Sequence, residues 1–243
     1  MSGAILYGVG TGPGDPELMT VKATHALEAS AIVAYFCKRS GQGNALTTAK
    51  PYLRDSHTLL PMVYPVTTEL PHGSAEYRDR IERFFDESAH AVAAHLDAGR
   101  SVAVLSEGDP FFYGSFMHLF IRLRDAYDPV VIPGVPAMLA GASQLPRPIA
   151  MRDDVLSVVP GTLPDDRLAA TLAIAQAAVV MKVGRNLPRI RAALAEAGRA
   201  EGAWYVERAS MGGRQRVMPL AEAPEGPAPY FSMVLLPGPG ERV

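Results

Sequence analysis

Ile5-Leu6-Tyr7-Gly8-Val9-Gly10-Thr11-Gly12-Pro13-Gly14-Asp15-Pro16 is a short apolar run that opens directly onto glycine and proline. Residues 5–9 are too few for a helix and end on turn residues, so they read as a strand. Residues 20–30 follow with Val21, Ala23, Ala26 and Leu27 at helical spacing, and residues 31–36 form the next apolar run. Strand, helix, strand is the unit of a parallel sheet. The rhythm resumes with a long amphipathic helix over 75–98 that stops at Gly99, a strand over 101–105, a helix over 116–123 and a strand over 130–132. The stretch between, through Pro51, Pro61, Pro65 and Pro71, reads as irregular. These elements predict an α/β, mainly parallel, doubly wound sheet, whose right-handed crossovers gather the loops at the strands' carboxyl ends on one rim.

Beyond residue 135 the rhythm changes. Residues 155–159 and 178–182 read as strands with a helix over 167–177 between them, and 187–197 as a helix closed by Gly198. Residues 203–208 and 215–220 flank Ala209-Ser210-Met211-Gly212-Gly213-Arg214, whose glycines suit a turn between antiparallel strands, and 230–236 supplies a last strand. A mixed sheet is expected here. The division is drawn as 1–135 and 136–243, two α/β domains of ordinary size within 243 residues.

Hydrophobic residues make up 48% and charged residues 20% of the chain, enough apolar matter for buried cores. A net charge of -2 argues against a general nucleic-acid surface. Cys37 is the only cysteine, so neither an internal disulfide nor a thiolate metal cluster is available, and a cytoplasmic setting is expected. The longest uncharged stretch, 129–146, is broken by four prolines, so no membrane span is expected.

Three glycine- and proline-rich segments follow predicted strands: Gly8 to Pro16, Glu107-Gly108-Asp109-Pro110-Phe111-Phe112-Tyr113-Gly114-Ser115, and Pro133-Gly134-Val135-Pro136-Ala137-Met138. The first fails the G-x-G-x-x-G spacing of a dinucleotide loop, and no P-loop pattern occurs. Such loops instead bring bare backbone N–H and C=O groups close to a compact ligand, such as a nucleoside. Any one of them alone is an ordinary tight turn. Three on a single rim make a site.

Gly8-x-Gly10-x-Gly12-Pro13-Gly14-Asp15-Pro16-Glu17-Leu18-x-Thr20, with Gly108-Asp109-Pro110-Phe111 and Pro133-Gly134-Val135, resembles the tetrapyrrole (corrin/porphyrin) methylase family, the class III methyltransferases. The likeness extends to Val180-Met181-Lys182, Val206-Glu207-Arg208-Ala209-Ser210 and 231–237, and so spans the chain. Lys38-Arg39-Ser40-Gly41 and Tyr64-Pro65-Val66-Thr67-Thr68-Glu69 look like the branch that methylates carbon 20 of precorrin-2. The resemblance implies the family's fold, a five-stranded amino-terminal sheet and a mixed carboxyl-terminal one, with the active-site cleft between the domains. It also implies S-adenosyl-L-methionine as methyl donor, S-adenosyl-L-homocysteine as product, a homodimer, and a role in cobalamin biosynthesis. Gly12, Pro13, Gly14, Asp109, Phe112, Pro136, Ala137, Met181, Lys182, Ala209, Ser210 and Ser232 would bind the donor. Pro136-Ala137 stands where many members carry two small hydroxyl residues, so contacts there must come from backbone.

A tetrapyrrole carries several carboxylate arms, which call for basic partners; among Lys38, Arg39, Arg152, Lys182, Arg185 and Arg208, the first three sit in irregular segments and are the substrate-binding candidates. Asp109, Glu107 and Tyr113, with Tyr7, are the candidates for moving a proton or steadying charge on the ring. The bland readings are a helix cap for Asp109 ahead of 111–122, core packing for Phe111, Phe112, Tyr113 and Phe116, and solvent-facing positions for His90 and His95. No histidine shows metal-ligand spacing. Rival functions are a methylase of uroporphyrinogen III, of a cobalt-loaded substrate or of another ring carbon, a nucleotide-dependent oxidoreductase, and a non-catalytic tetrapyrrole carrier.

Overall fold

The computed structural model describes residues 3–39, 41, 43–66 and 74–239. Ser40 and residues 67–69, which belong to the branch-specific runs, lie outside them. The chain divides into two compact units, Met1–Pro136 and Ala137–Val243.

The first unit holds β1 (Leu6–Gly10), α1 (Val21–Glu28), β2 (Ile32–Cys37), α2 (Asn44–Ala49), β3 (Thr58–Val63), α3 (Ala75–Asp97), β4 (Val102–Ser106), α4 (Phe116–Tyr127) and β5 (Val130–Ile132). Its five strands run parallel in the order β3-β2-β4-β1-β5. The caps are written in the sequence. Thr20 Oγ1 accepts the Ala23 N–H to start α1 and Ser74 Oγ that of Tyr77 to start α3. Gly99, at φ +73°, follows the end of α3, a conformation glycine adopts without strain.

β1, β2 and β4 are buried on both faces, which is why they read as continuous apolar runs rather than alternating ones. One face packs with Ala23, Ala26 and Leu27 of α1 and Ala45 and Ala49 of α2. The other packs with Phe84, Phe85, Ala89 and Val92 of α3 and Phe116, Leu119 and Leu123 of α4. A Cβ on Gly8 would sit 2.2 Å from the Phe116 ring, so α4 lies directly on the β1 backbone. Neighbouring strands β1 and β4 thus send their chains to opposite faces, α1 on one and α4 on the other. That divergence marks a switch point beyond their carboxyl ends, the place where open α/β sheets bind ligands.

Two elements of this unit differ from the sequence expectation. The proline-punctuated stretch taken as irregular contains β3, paired in parallel with β2 from Ile32↔Thr58 to Cys37↔Val63, and also α2. Pro61 lacks an N–H, yet it is tolerated because β3 is the outermost strand. His95 also departs from its expected solvent-facing place: it is half-buried with its Nδ1 lacking a hydrogen-bond partner, and desolvation pulls its pKa down, while His90 is exposed as expected.

The second unit holds α5 (Ala137–Ala142), β6 (Leu156–Pro160), α6 (Asp165–Ile174), β7 (Ala177–Met181), α7 (Leu187–Glu196), β8 (Trp204–Glu207), β9 (Arg216–Pro219) and β10 (Ser232–Leu236). Its sheet is mixed, ordered β6-β7-β10-β8-β9, with β6 and β7 parallel and β10 antiparallel to both β7 and β8. β8 and β9 pair antiparallel across the glycine turn. Leu168 and Leu172 of α6 and Leu187, Ile190 and Leu194 of α7 cover one face. Ala140 of α5 packs with Val179, Val206, Met233 and Leu235 on the other. No helix among the described residues is long and apolar enough to cross a membrane.

A Cβ placed on Gly134 would lie 2.1 Å from the Gly108 carbonyl oxygen and 2.9 Å from Gly10 Cα, all of it backbone that cannot step aside. Gly134→Ala is therefore expected to lower stability by about 1–3 kcal/mol or more in urea unfolding. Gly213→Ala, with nothing within 4 Å of its added methyl, should stay within about 0.5 kcal/mol of the parent.

Candidate functional site

The loops after β1, β4 and β5 meet beyond the carboxyl ends of their strands. Gly12 and Gly108 exchange two backbone hydrogen bonds, 3.2 Å from the Gly12 N–H and 2.8 Å from the Gly108 N–H, in an isolated antiparallel bridge. Thr11 donates to the Ser106 carbonyl from both its N–H at 2.9 Å and its Oγ1 at 3.0 Å. The third loop closes on these two: a Cβ on Gly10 would fall 2.5 Å from Gly134 N and 2.8 Å from Gly108 O. Gly12 and Gly108 hold φ of +75° and +64°, the left-handed region that favours glycine.

Asp109 fastens the arrangement. Its Oδ1 accepts the Phe111 N–H at 2.8 Å and its Oδ2 accepts the Gly134 N–H at 3.0 Å, so one carboxylate shapes its own turn and ties the β4 loop to the β5 loop. It does not cap a helix: α4 begins only at Phe116, after Ser115. Phe112 and Tyr113 follow, with ring centroids 4.9 Å apart, and Tyr113 is held at φ +59°, an unusual conformation for a bulky side chain. Tyr64, just past β3, bonds through its hydroxyl to Ser115 Oγ and stacks among Phe36, Phe84 and Phe85.

Glu107 lies between the two clamped points, Ser106 and Gly108. Its side chain hydrogen-bonds Asn44, the first residue of α2, and feels the charge of Lys38, which directly follows β2. The residue is open to solvent, yet the protein crowding its flanks removes enough water to raise the carboxyl pKa above the ordinary range, against the opposing pull of Asn44 and Lys38. Lys38 and Arg39 are both exposed. Tyr7 stands apart from this group, inside β1 and packed against the core beneath α1.

In the second unit Met181 ends β7, Ser232 begins β10, and Lys182, Ala209 and Ser210 lie just beyond β7 and β8. The pairings Val234↔Val180 and Ser232↔Glu207 place all five at one end of the sheet. Ala137, Met181 and Ala209 belong to one apolar cluster. Lys182, Arg208 and Ser210 hold φ of +55°, +49° and +64°, three non-glycine residues in the left-handed region at one sheet end, and such strain concentrates at functional sites. Arg152 is also left-handed, at φ +48°, but lies elsewhere. Its turn, with Met151 N–H bonded to Asp154 Oδ2, lies against Gly238 beyond the carboxyl end of β10, the opposite end of that sheet.

Sequence reasoning missed two features. Glu207 is buried and accepts from the Tyr205 hydroxyl at 3.1 Å, pairs with Arg208, and has Arg216 at 3.9 Å. Burial raises the Tyr205 phenol, opposed by a hydrogen bond with Ser232 and the charges of Arg216 and Arg208. The second feature is the buried hydroxyl of Ser106 at the end of β4, which has no partner, like that of Ser210 after β8, already a candidate from the sequence. An unmet buried hydroxyl costs about 1–3 kcal/mol, so each calls for an explanation. No local pattern announces either, because each depends on strands distant in sequence. Among the described residues, no group of three or more histidine, cysteine, aspartate or glutamate side chains is placed to hold a metal.

Comparison with known proteins places these features in a family. The model for tetrapyrrole (corrin/porphyrin) methylases matches residues 5–224. A precorrin-2 C(20)-methyltransferase of Sinorhizobium sp is 52% identical over 233 residues, covering 96% of this chain and 95% of that protein. A cobalt-precorrin-2 C(20)-methyltransferase of Salmonella typhimurium is 30% identical over 233 residues, covering 95% of each. The crystal structure of a uroporphyrin-III C-methyl transferase from Thermus thermophilus, complexed with S-adenyl homocysteine, matches with a TM-score of 0.62 and 26% identity over 96% of this chain and 97% of that one. By the extent of these matches and by its paired sheets, the chain belongs to the tetrapyrrole (corrin/porphyrin) methylases.

Proposed function

We propose that the chain transfers a methyl group from S-adenosyl-L-methionine to carbon 20 of precorrin-2, giving precorrin-3A in cobalamin biosynthesis. The observation that carries the substrate is the 52% identity, held over 96% of the chain, to a protein bearing that activity in its name. The metal-free substrate is favoured over the cobalt-loaded one because the relative named for the latter is only 30% identical.

The residues present fit a sulfonium nucleoside. In the first unit Gly10, Gly108 and Gly134 pack backbone against backbone, with Gly12, Pro13, Gly14 and Phe112 in the same loops and the Ser106 hydroxyl without a partner. The Gly12, Gly108 and Gly134 N–H groups bond within the loops, so these loops would meet the ligand by close approach of small residues, with the Ser106 hydroxyl left to bond it. Pro136 and Ala137 would contribute through backbone. In the second unit Met181, Lys182, Ala209, Ser210 and Ser232 would meet the donor, with the Ser210 hydroxyl as its hydrogen-bonding point. The donor, once bound, supplies an activated methyl group on positively charged sulfur. The protein's part is then alignment and exclusion of water, worth up to roughly 7–11 kcal/mol of barrier. Lys38 and Arg39, exposed beside β2, are suited to carboxylate arms of the macrocycle. The family resemblance and the single, buried Cys37 suit a homodimer in the reducing cytoplasm.

Incubating the chain with precorrin-2 and methyl-labelled donor should place the label on carbon 20 by NMR; label on another carbon overturns the assignment. Asp109→Ala removes the acceptor shared by the Phe111 and Gly134 amides, and loosening two of the three rim loops should weaken S-adenosylhomocysteine binding about tenfold or more by calorimetry. Unchanged affinity would dissociate those loops from the donor.

A further inference from the structure

We infer that Glu107 is the proton acceptor of the methylation, with Asn44 as the residue that positions it. The inference rests on the methyl-transfer reading above and goes beyond it by assigning the second half of the reaction. Exchanging hydrogen for methyl on a ring carbon breaks two bonds. The new C–C bond forms from ring electrons while the S–CH3 bond breaks, its pair remaining on sulfur as a neutral thioether. The C–H bond at the same carbon then breaks, its pair returns to the ring, and the proton passes to a base. No oxidant, reductant or other reactant is needed.

Three polar candidates share the β4 loop, and the geometry separates them. Asp109 has each carboxylate oxygen engaged by a backbone N–H, from Phe111 and from Gly134, so its charge holds loops together. Tyr113 is a phenol on a left-handed turn, suited to donating a hydrogen bond rather than to taking a proton. Glu107 is a carboxylate open to solvent whose backbone is fixed on both sides, at Ser106 by Thr11 and at Gly108 by Gly12. Those clamps come from the β1 side. The groups acting on its side chain come from the β2 side: Asn44 at the start of α2, and Lys38 beyond β2. A carboxylate so held is aimed before any ligand arrives. Its raised pKa also makes it a stronger base than an ordinary glutamate, nearer the operating pH that general catalysis favours.

The test compares the full chain with Glu107→Gln and Asn44→Ala, using precorrin-2 and labelled donor. Glu107→Gln should lose about 10²- to 10⁴-fold in kcat, the range general bases contribute, while S-adenosylhomocysteine affinity stays within about twofold. The native state binds the Glu107 proton more tightly than the unfolded chain does, so ionising it at neutral pH opposes folding; the Gln variant should melt at the same temperature or higher. In the parent, activity should fall as pH drops through the raised carboxyl pKa. Asn44→Ala removes a bond that favours the charged form, so this acid limb should move to higher pH. A Gln variant that keeps pace with the parent, or an acid limb unmoved in Asn44→Ala, overturns the assignment of Glu107. A parent chain that leaves precorrin-2 unmethylated overturns the substrate reading instead.

Discussion

Where β1, β4 and β5 end, three glycine backbones approach more closely than any side chain would allow. Gly134 meets the Gly108 carbonyl, and Gly10 meets both, at distances where even a methyl group would overlap backbone atoms. The contact brings together three loops drawn from residues as far apart in the chain as Gly10 and Gly134. It also underlies the hydrogen bonding around it: the Gly12–Gly108 bridge and the Asp109 staple both require the loops to be this close. Without that approach the parallel sheet would survive, and the crevice beyond it would lose its floor.

Two carboxylates on one short loop show how environment divides labour. Asp109 and Glu107 are separated by a single residue, yet one is saturated by backbone donors and the other faces a neutral amide and a lysine. Alternation along an extended segment would put both on one side; the left-handed turn at Gly108 intervenes. A similar economy operates in the second unit, where the buried Glu207 is matched by Tyr205, Arg208 and Arg216 rather than left alone, since an unpaired buried charge is strongly unfavourable.

Much of this was legible in the chain. The apolar runs of β1, β2 and β4, the Gly99 stop, and the switch to a mixed sheet after residue 135 follow from periodicity and turn chemistry. The glycine loops could be assigned to one rim because right-handed crossovers leave no other place for them. What escaped depends on partners far away in sequence. β3 was hidden by Pro61, whose tolerance rests on the strand's edge position, and α5 by its small residues behind Pro136. The Asp109 staple needs Gly134, twenty-five residues on. Arg152 shares its irregular setting with Lys38 and Arg39, but only the sheet order shows that its turn lies at the far end of the second unit. His95 looked like a surface residue because helical spacing alone does not reveal which neighbours cover it.

The claim on which the account turns is that these three loops receive the nucleoside. A crystal structure of the chain grown with S-adenosylhomocysteine addresses it directly. The account predicts ligand polar atoms within hydrogen-bonding distance of backbone in residues 10–14, 106–112 or 134–136. A ligand seated away from all three loops would contradict it.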